Sequence, residues 1–176
     1  MDYQQSRAYI RDAEQYAGGA LDLTNIKEIM KRLGNPQDQL KYVHVAGTNG
    51  KGSVIAYLYT TLTNAGYHVG RYISPSVYSY REKIEVEGTP ISIEQFAKHT
   101  TRVAAVIEEM TAEGLAHPTP FEIETAVAFL FFAEEKCDPV ILEVGMGGIT
   151  DATNLIRTTE LAVLVPISMD HQSFLG

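Results

Sequence analysis

The stretch that most constrains this chain is His44-Val45-Ala46-Gly47-Thr48-Asn49-Gly50-Lys51-Gly52-Ser53-Val54, a glycine-rich turn between a β-rich run and a helix-like pattern. Gly47, Gly50 and Gly52 carry no Cβ, so the backbone N–H groups beside them can approach an anion closely. The helix that follows points the positive end of its dipole at the same spot, and Lys51 adds a full charge. Together these features describe a phosphate cradle. The standard P-loop is spelled G-x-x-x-x-G-K-S/T. Here only Thr48 and Asn49 separate Gly47 from Gly50, and Gly52 stands between Lys51 and Ser53. The bland alternative is a glycine turn that packs a helix on a strand, with Lys51 an exposed helix-start lysine and Ser53 a simple cap.

Element order extends the constraint to the whole chain. Apolar residues at helical spacing (Tyr9, Ile10, Ala13, Tyr16) give way to Gly18-Gly19. Ile26, Ile29, Met30 and Leu33 form a second stripe, with Thr24 and Gly34 as its expected caps. Strands are expected over 42–46, 68–73, 139–144 and 161–167, with Pro166 weakening the end of the last. Helices fill the intervals: one on Val54, Ile55, Leu58 and Leu62, and one opened by a Ser92–Gln95 capping pattern. Another is opened by Thr119-Pro120-Phe121-Glu122 and is apolar nearly all round, so it should be buried. The segment 74–89 is polar and turn-rich, the length of a functional loop. Strands alternating with helices give an α/β fold with a mostly parallel sheet joined by right-handed crossovers.

Composition decides which partners are plausible. A chain of 176 residues suits one domain with a real core. Its net charge of −8 argues against nucleic acid and against an anionic membrane surface, so an anionic ligand needs a local positive site such as the Gly-Lys loop. Cys137 is the single cysteine, which fits a reducing compartment. Charges at Asp2, Arg7, Arg11, Asp12 and Glu14 break any secretory apolar core, and the longest apolar run, 126–133, is far short of the ~18 residues of a membrane span. A soluble, cytoplasmic protein is expected.

In an open parallel sheet, ligands bind beyond the carboxyl ends of the strands. The first expected strand ends in the phosphate loop, the second in Ser74, the third in Glu143 and the fourth leads to Asp170-His171. An acid closing the run Val140-Ile141-Leu142 is expensive to bury unpaired. It is either an ordinary salt-bridge partner or the carboxylate that holds Mg2+ beside nucleotide phosphates. His171 is a weaker metal candidate, since Mg2+ prefers oxygen. His44, His68, His99 and His117 read as structural or surface residues.

Gly47-Thr48-Asn49-Gly50-Lys51-Gly52-Ser53 closely resembles the ATP-binding loop of the Mur ligase superfamily, and its Gly-Ser ending resembles the folylpolyglutamate synthase/dihydrofolate synthase branch. Ile141-Leu142-Glu143-Val144-Gly145-Met146-Gly147-Gly148 followed by Asp151-Ala152-Thr153-Asn154 resembles that family's other signature. The resemblance implies a P-loop NTPase-like sheet flanked by helices, with residues 1–176 as the N-terminal portion of the ATP-binding domain. It implies an ATP-dependent amide ligase that joins L-glutamate to dihydropteroate or folate through an acyl phosphate, monomeric at full length. Lys51, Glu143 and His171 would then be catalytic, and Ser74, Glu143 and His171 would bind Mg2+. Thr119, Phe121, Asp151 and Ala152 would line the pterin pocket; from the residues alone they are an N-cap, a core aromatic, a turn acid and its neighbour. Lys83 would contact substrate, but is otherwise a solvated charge.

Departures concern substrate choice. Ser76 and Val77 stand where that family often shows His and Leu, and Lys83 and Ile149 where Arg is common. Lysine lacks the planar fork with which arginine grips a carboxylate. The chain ends at Gly176, before the lysine, remaining ATP domain and C-terminal domain that the resemblance implies, so no turnover by this length alone is expected. Competing readings are a P-loop phosphotransferase or GTPase, a non-catalytic nucleotide-binding scaffold, and a peptidoglycan-precursor ligase. No Asn-Lys-x-Asp guanine-reading string supports the first, and Gly52-Ser53 with Asp151-Ala152-Thr153-Asn154 weighs against the last.

Overall fold

The computed structural model describes residues 1–17 and 22–169. Its strands are β1 (Tyr42–Ala46), β2 (Gly70–Tyr72), β3 (Ile84–Val86), β4 (Thr89–Pro90), β5 (Val140–Glu143) and β6 (Thr159–Leu164). They form one sheet in the order β4-β3-β2-β5-β1-β6. β2, β5, β1 and β6 run parallel, as expected from the alternation, with Val45 opposite Glu143 in the β1/β5 register. β3 and β4 run antiparallel at one edge. That edge revises the reading of 74–89 as one turn-rich loop: only its first part is loop, followed by a 3-10 turn at Tyr80–Lys83. The strands there are too short for a periodicity signal.

The helices are α1 (Tyr3–Asp12), α2 (Thr24–Arg32), α3 (Lys51–Asn64), α4 (Ile93–Ala112) and α5 (Pro120–Glu135). α5 starts as the sequence dictates: Thr119 and Glu122 form a reciprocal capping box, with Pro120 in the first turn. α2 ends at Gly34 (φ +84°), where the N–H groups of Gly34 and Asn35 reach back to the Lys31 and Met30 carbonyls. Its start differs from expectation. Thr24 is the first helical residue, and Asp22 accepts its N–H at 2.7 Å. Ser92 makes only half of the expected box, since Gln95 reaches Glu135 instead. Among the described residues, no helix is long and apolar enough to cross a membrane.

Side chains of a strand alternate between faces, so the central strands feed two cores. Tyr42, Tyr72, Val140 and Leu142 pack with α1, α2, α4 and α5. Val43, Val45 and Ile141 pack with Ile55 and Tyr59 of α3. α5 is buried along most of its length between the sheet and the outer helices, as its all-round apolar pattern requires. Among the described residues, four helices therefore cover one face, and α3 alone covers the other.

His99 sits in the α4/α5 seam at 0% exposure, its ring against Phe131, and neither ring nitrogen makes a hydrogen bond. Glu134 approaches Nε2 at 3.7 Å. Burial holds the imidazole at about 4, below its usual 6.5; Glu134 opposes this, while Lys98 and Arg102 reinforce it. The unfolded chain therefore takes up a proton near 6.5 that the native state refuses until about 4. Stability should fall as pH drops through that window, by at most about 3 kcal/mol from this group. Denaturant titrations between pH 7 and pH 4 should show a flatter profile for His99→Leu than for the wild type; parallel profiles would contradict this assignment.

Candidate active site at the carboxyl ends of the strands

β1 runs directly into the glycine turn. Gly47 (φ +132°) passes so close to the β6 exit that a Cβ there would lie 2.5 Å from Val165 Cγ2 and 2.6 Å from its carbonyl oxygen. Thr48 fastens the turn: its N–H donates to Pro166 O at 3.0 Å, and its hydroxyl both donates to Ser168 O and accepts the Ser168 N–H. Asn49 N–H leans on the same Pro166 carbonyl. Gly50 (φ +94°) then caps α3 with no side-chain acceptor. The first intrahelical bond runs from Val54 N to Gly50 O, so the N–H groups of Lys51, Gly52 and Ser53 lie ahead of the ladder. Directed N–H groups at a helix start suit an anion.

Lys51 folds back over this turn, donating to Gly47 O at 2.9 Å and standing 3.8 Å from Glu143 Oε1. The other carboxylate oxygen, Oε2, accepts the Ser74 N–H at 3.0 Å. Glu143 is 8% exposed, and burial raises its carboxyl above the usual 4.5, opposed by the Ser74 N–H and by Lys51. The ends of β1, β2 and β5 are thus joined through a single carboxylate, with Lys51 and Glu143 on the same rim. A carboxylate with this much desolvation favours any added cation. Among the described residues, no group of three or more His, Cys, Asp or Glu side chains converges. One carboxylate with phosphate oxygens and water is nonetheless an ordinary Mg2+ arrangement.

A second group of side chains lies on the α5 face of the same rim. Phe121, in the first turn of α5, stacks on Tyr72 with centroids 6.0 Å apart. A Cβ on Gly145 would lie 2.8 Å from Phe121 Cζ and 3.1 Å from Asp151 Oδ2, so ring and carboxylate meet over that glycine. Asp151 also holds its own loop: Oδ2 accepts the Met146 N–H at 2.8 Å and Oδ1 the Thr153 N–H at 3.0 Å. Ala152 is buried beside it, and Thr119 caps α5. One turn beyond Phe121, Glu124 accepts both a bidentate pair from Lys83 Nζ, at 3.0 and 2.9 Å, and the Tyr80 hydroxyl. The Arg7 guanidinium lies 3.3 Å from the centre of the Tyr80 ring. Lys83 is therefore no solvated charge.

The fold and motifs have close counterparts among known proteins. No family model matches the chain. It is 41% identical over 175 residues to a dihydrofolate synthase/folylpolyglutamate synthase of Bacillus subtilis, covering 99% of this chain and 40% of that one. It is 36% identical to the folylpolyglutamate synthase of Lacticaseibacillus casei, covering 100% of this chain and 41% of the relative. A solved complex of FPGS with AMPPCP and folate superposes with a TM-score of 0.91 at 35% identity, over the whole of this chain and 43% of the other. The folylpolyglutamate synthase of Mycobacterium tuberculosis with ADP gives 0.87 at 35% identity, over 99% of this chain and 40% of the other. Nearly the whole chain matches proteins of the folylpolyglutamate synthase/dihydrofolate synthase family. It spans about two fifths of the length of these relatives, matching their N-terminal part.

Within that family frame, the structure brings Gly47–Lys51, Ser74 and Glu143 together, and Phe121, Asp151 and Ala152 together. His171 lies outside the described residues. Ile149 is an exposed loop residue. Sequence reasoning passed over Glu124, although a charged residue inside an otherwise apolar helix carries the same signal that singled out Glu143. His44, read from the sequence as structural or surface, has a partner in Thr153 that is distant in sequence. The two glycines of the turn should respond differently to a methyl group. Gly47→Ala should cost upwards of about 2 kcal/mol in denaturant stability, since backbone must move. Gly52→Ala meets nothing within 4 Å and should melt like the wild type. Equal destabilisation by both would refute the close-approach account.

Proposed function

We propose that this chain forms the nucleotide cradle and the acceptor wall of an ATP-dependent amide ligase that joins L-glutamate to dihydropteroate or to folate glutamates. The observation that carries the reading is Lys51 and Glu143 meeting at 3.8 Å beside the uncapped N-terminus of α3. Relatives solved with AMPPCP, ADP and folate support the substrate classes.

In this reading, the N–H groups of Lys51, Gly52 and Ser53 receive the β- and γ-phosphates, with Lys51 Nζ releasing the Gly47 carbonyl to neutralise their charge. Glu143 would hold Mg2+ with Ser74 and His171, which supplies charge neutralisation to the phosphate oxygens. Phe121 packs on the flat pterin ring, Asp151 accepts from its edge, and Thr119 and Ala152 complete that wall. Lys83 stands on the acceptor side of the rim. The acceptor carboxylate takes the γ-phosphoryl group to give an acyl phosphate and ADP. The glutamate amine, having lost its proton, then displaces phosphate and forms the amide. The protein's own contribution is alignment and electrostatic stabilisation. Soluble cytoplasmic placement fits these substrates, and small molecules are the partners.

Calorimetric titration of Mg-ATP tests the cradle without requiring turnover. Lys51→Ala and Glu143→Gln should each weaken binding at least about tenfold, the loss of about 1.4 kcal/mol. The Glu143→Gln deficit should shrink when ATP is titrated without Mg2+. Wild-type affinity in both variants would overturn the reading.

A further inference from the structure

His44 is half-buried on β1, and the function above makes no use of it. Its side chain leaves the strand on the α5 face, alternating with Val43 and Val45, which enter the α3 core. There Nε2 lies 2.8 Å from Thr153 Oγ1. Thr153 is itself 0% exposed, and its hydroxyl lies 2.5 Å from Asp151 Oδ1. A hydroxyl has one proton to give, and a carboxylate oxygen can only accept. The Thr153 hydroxyl is therefore spent on Asp151 and must accept from His44. This fixes the imidazole as the tautomer protonated on Nε2. Burial, opposed by the charge of Asp151, lowers the His44 pKa.

The same donors determine how Asp151 stands. Oδ1 takes two of them, the Thr153 N–H and hydroxyl, while Oδ2 takes only the Met146 N–H. Oδ2 thus keeps acceptor capacity, and it lies beside Gly145, the residue that Phe121 also neighbours. The relay runs from β1, whose next residues become the nucleotide turn, to the carboxylate that faces the aromatic wall.

We propose that His44 is a positioning residue: acting through Thr153, it holds Asp151 in the orientation that receives the pterin edge of the acceptor. This rests on the assignment of Phe121 and Asp151 to the acceptor site. A glutamine amide nitrogen reaches about as far from the backbone as Nε2, whereas the asparagine amide stops near the place of Nδ1. The length of the side chain therefore matters more than its volume.

The test uses this chain with three variants, Thr153→Val, His44→Asn and His44→Gln, and two ligands titrated separately, 7,8-dihydropteroate and Mg-ATP. Nitrogen-15 NMR of the wild type should show His44 protonated at Nε2. Thr153→Val and His44→Asn should weaken dihydropteroate binding about tenfold, the scale of one lost hydrogen bond, with Mg-ATP affinity and melting temperature close to wild type. His44→Gln should bind dihydropteroate within about twofold of the wild type. A proton on Nδ1, or an asparagine variant as good as the glutamine variant, would overturn the role of His44 and leave the acceptor site standing. Loss of both ligands in parallel would reduce His44 to a packing residue. A wild type that binds Mg-ATP but no dihydropteroate would bring down the acceptor assignment itself, and this role with it.

Discussion

A carboxylate desolvated at the end of an apolar strand must be compensated, and much of the rim is arranged around that requirement. Glu143 receives the Ser74 N–H on one oxygen and the nearby ammonium of Lys51 on the other. Meeting both needs β5 between β2 and β1, and a helix that starts on the α3 side. The parallel order supplies the first condition, and the crossover from β1 through α3 to β2 supplies the second. Burial still keeps the proton affinity of Glu143 above that of an ordinary carboxylate, so the compensation is incomplete. That residual cost is what a divalent cation, in the function proposed above, would relieve.

The strand pleat divides the chemistry between two faces. Val45 and Ile141 lie in the α3 core, and Glu143 follows Ile141 on that side, where Lys51 waits. Tyr42 and Leu142 face α5, and His44 joins them, where Asp151, Thr153 and Phe121 gather. One sheet edge thereby presents a charged side and a flat aromatic side. The ligase proposed above would need both within reach.

The outer edge has a similar economy. Lys83 and Tyr80 both engage Glu124, and Arg7 covers the Tyr80 ring. These contacts tie the β2–β3 connection to α5 and α1. The Lys83 carbonyl also accepts the Ile73 N–H beside Ser74, so this edge is continuous with the strand end that serves Glu143.

The sequence by itself determined the local chemistry and the main architecture. Glycine spacing set the turn, Thr119-Pro120 and Glu122 set the start of α5, and the alternation of strands and helices set the parallel core. Such signals are local, because capping, positive φ and periodicity involve residues a few positions apart. Tertiary structure decided what depends on distant partners. The antiparallel β3/β4 edge was illegible because each strand is two or three residues long and finds its pairing only across the sheet. The Lys83–Glu124 pair joins residues 41 apart, and the His44–Thr153 contact joins residues 109 apart. No propensity or spacing rule reaches that far. Which side of the pleat His44 occupies follows from alternation, but what awaits it there is fixed only when the Gly145–Thr153 loop folds onto β1.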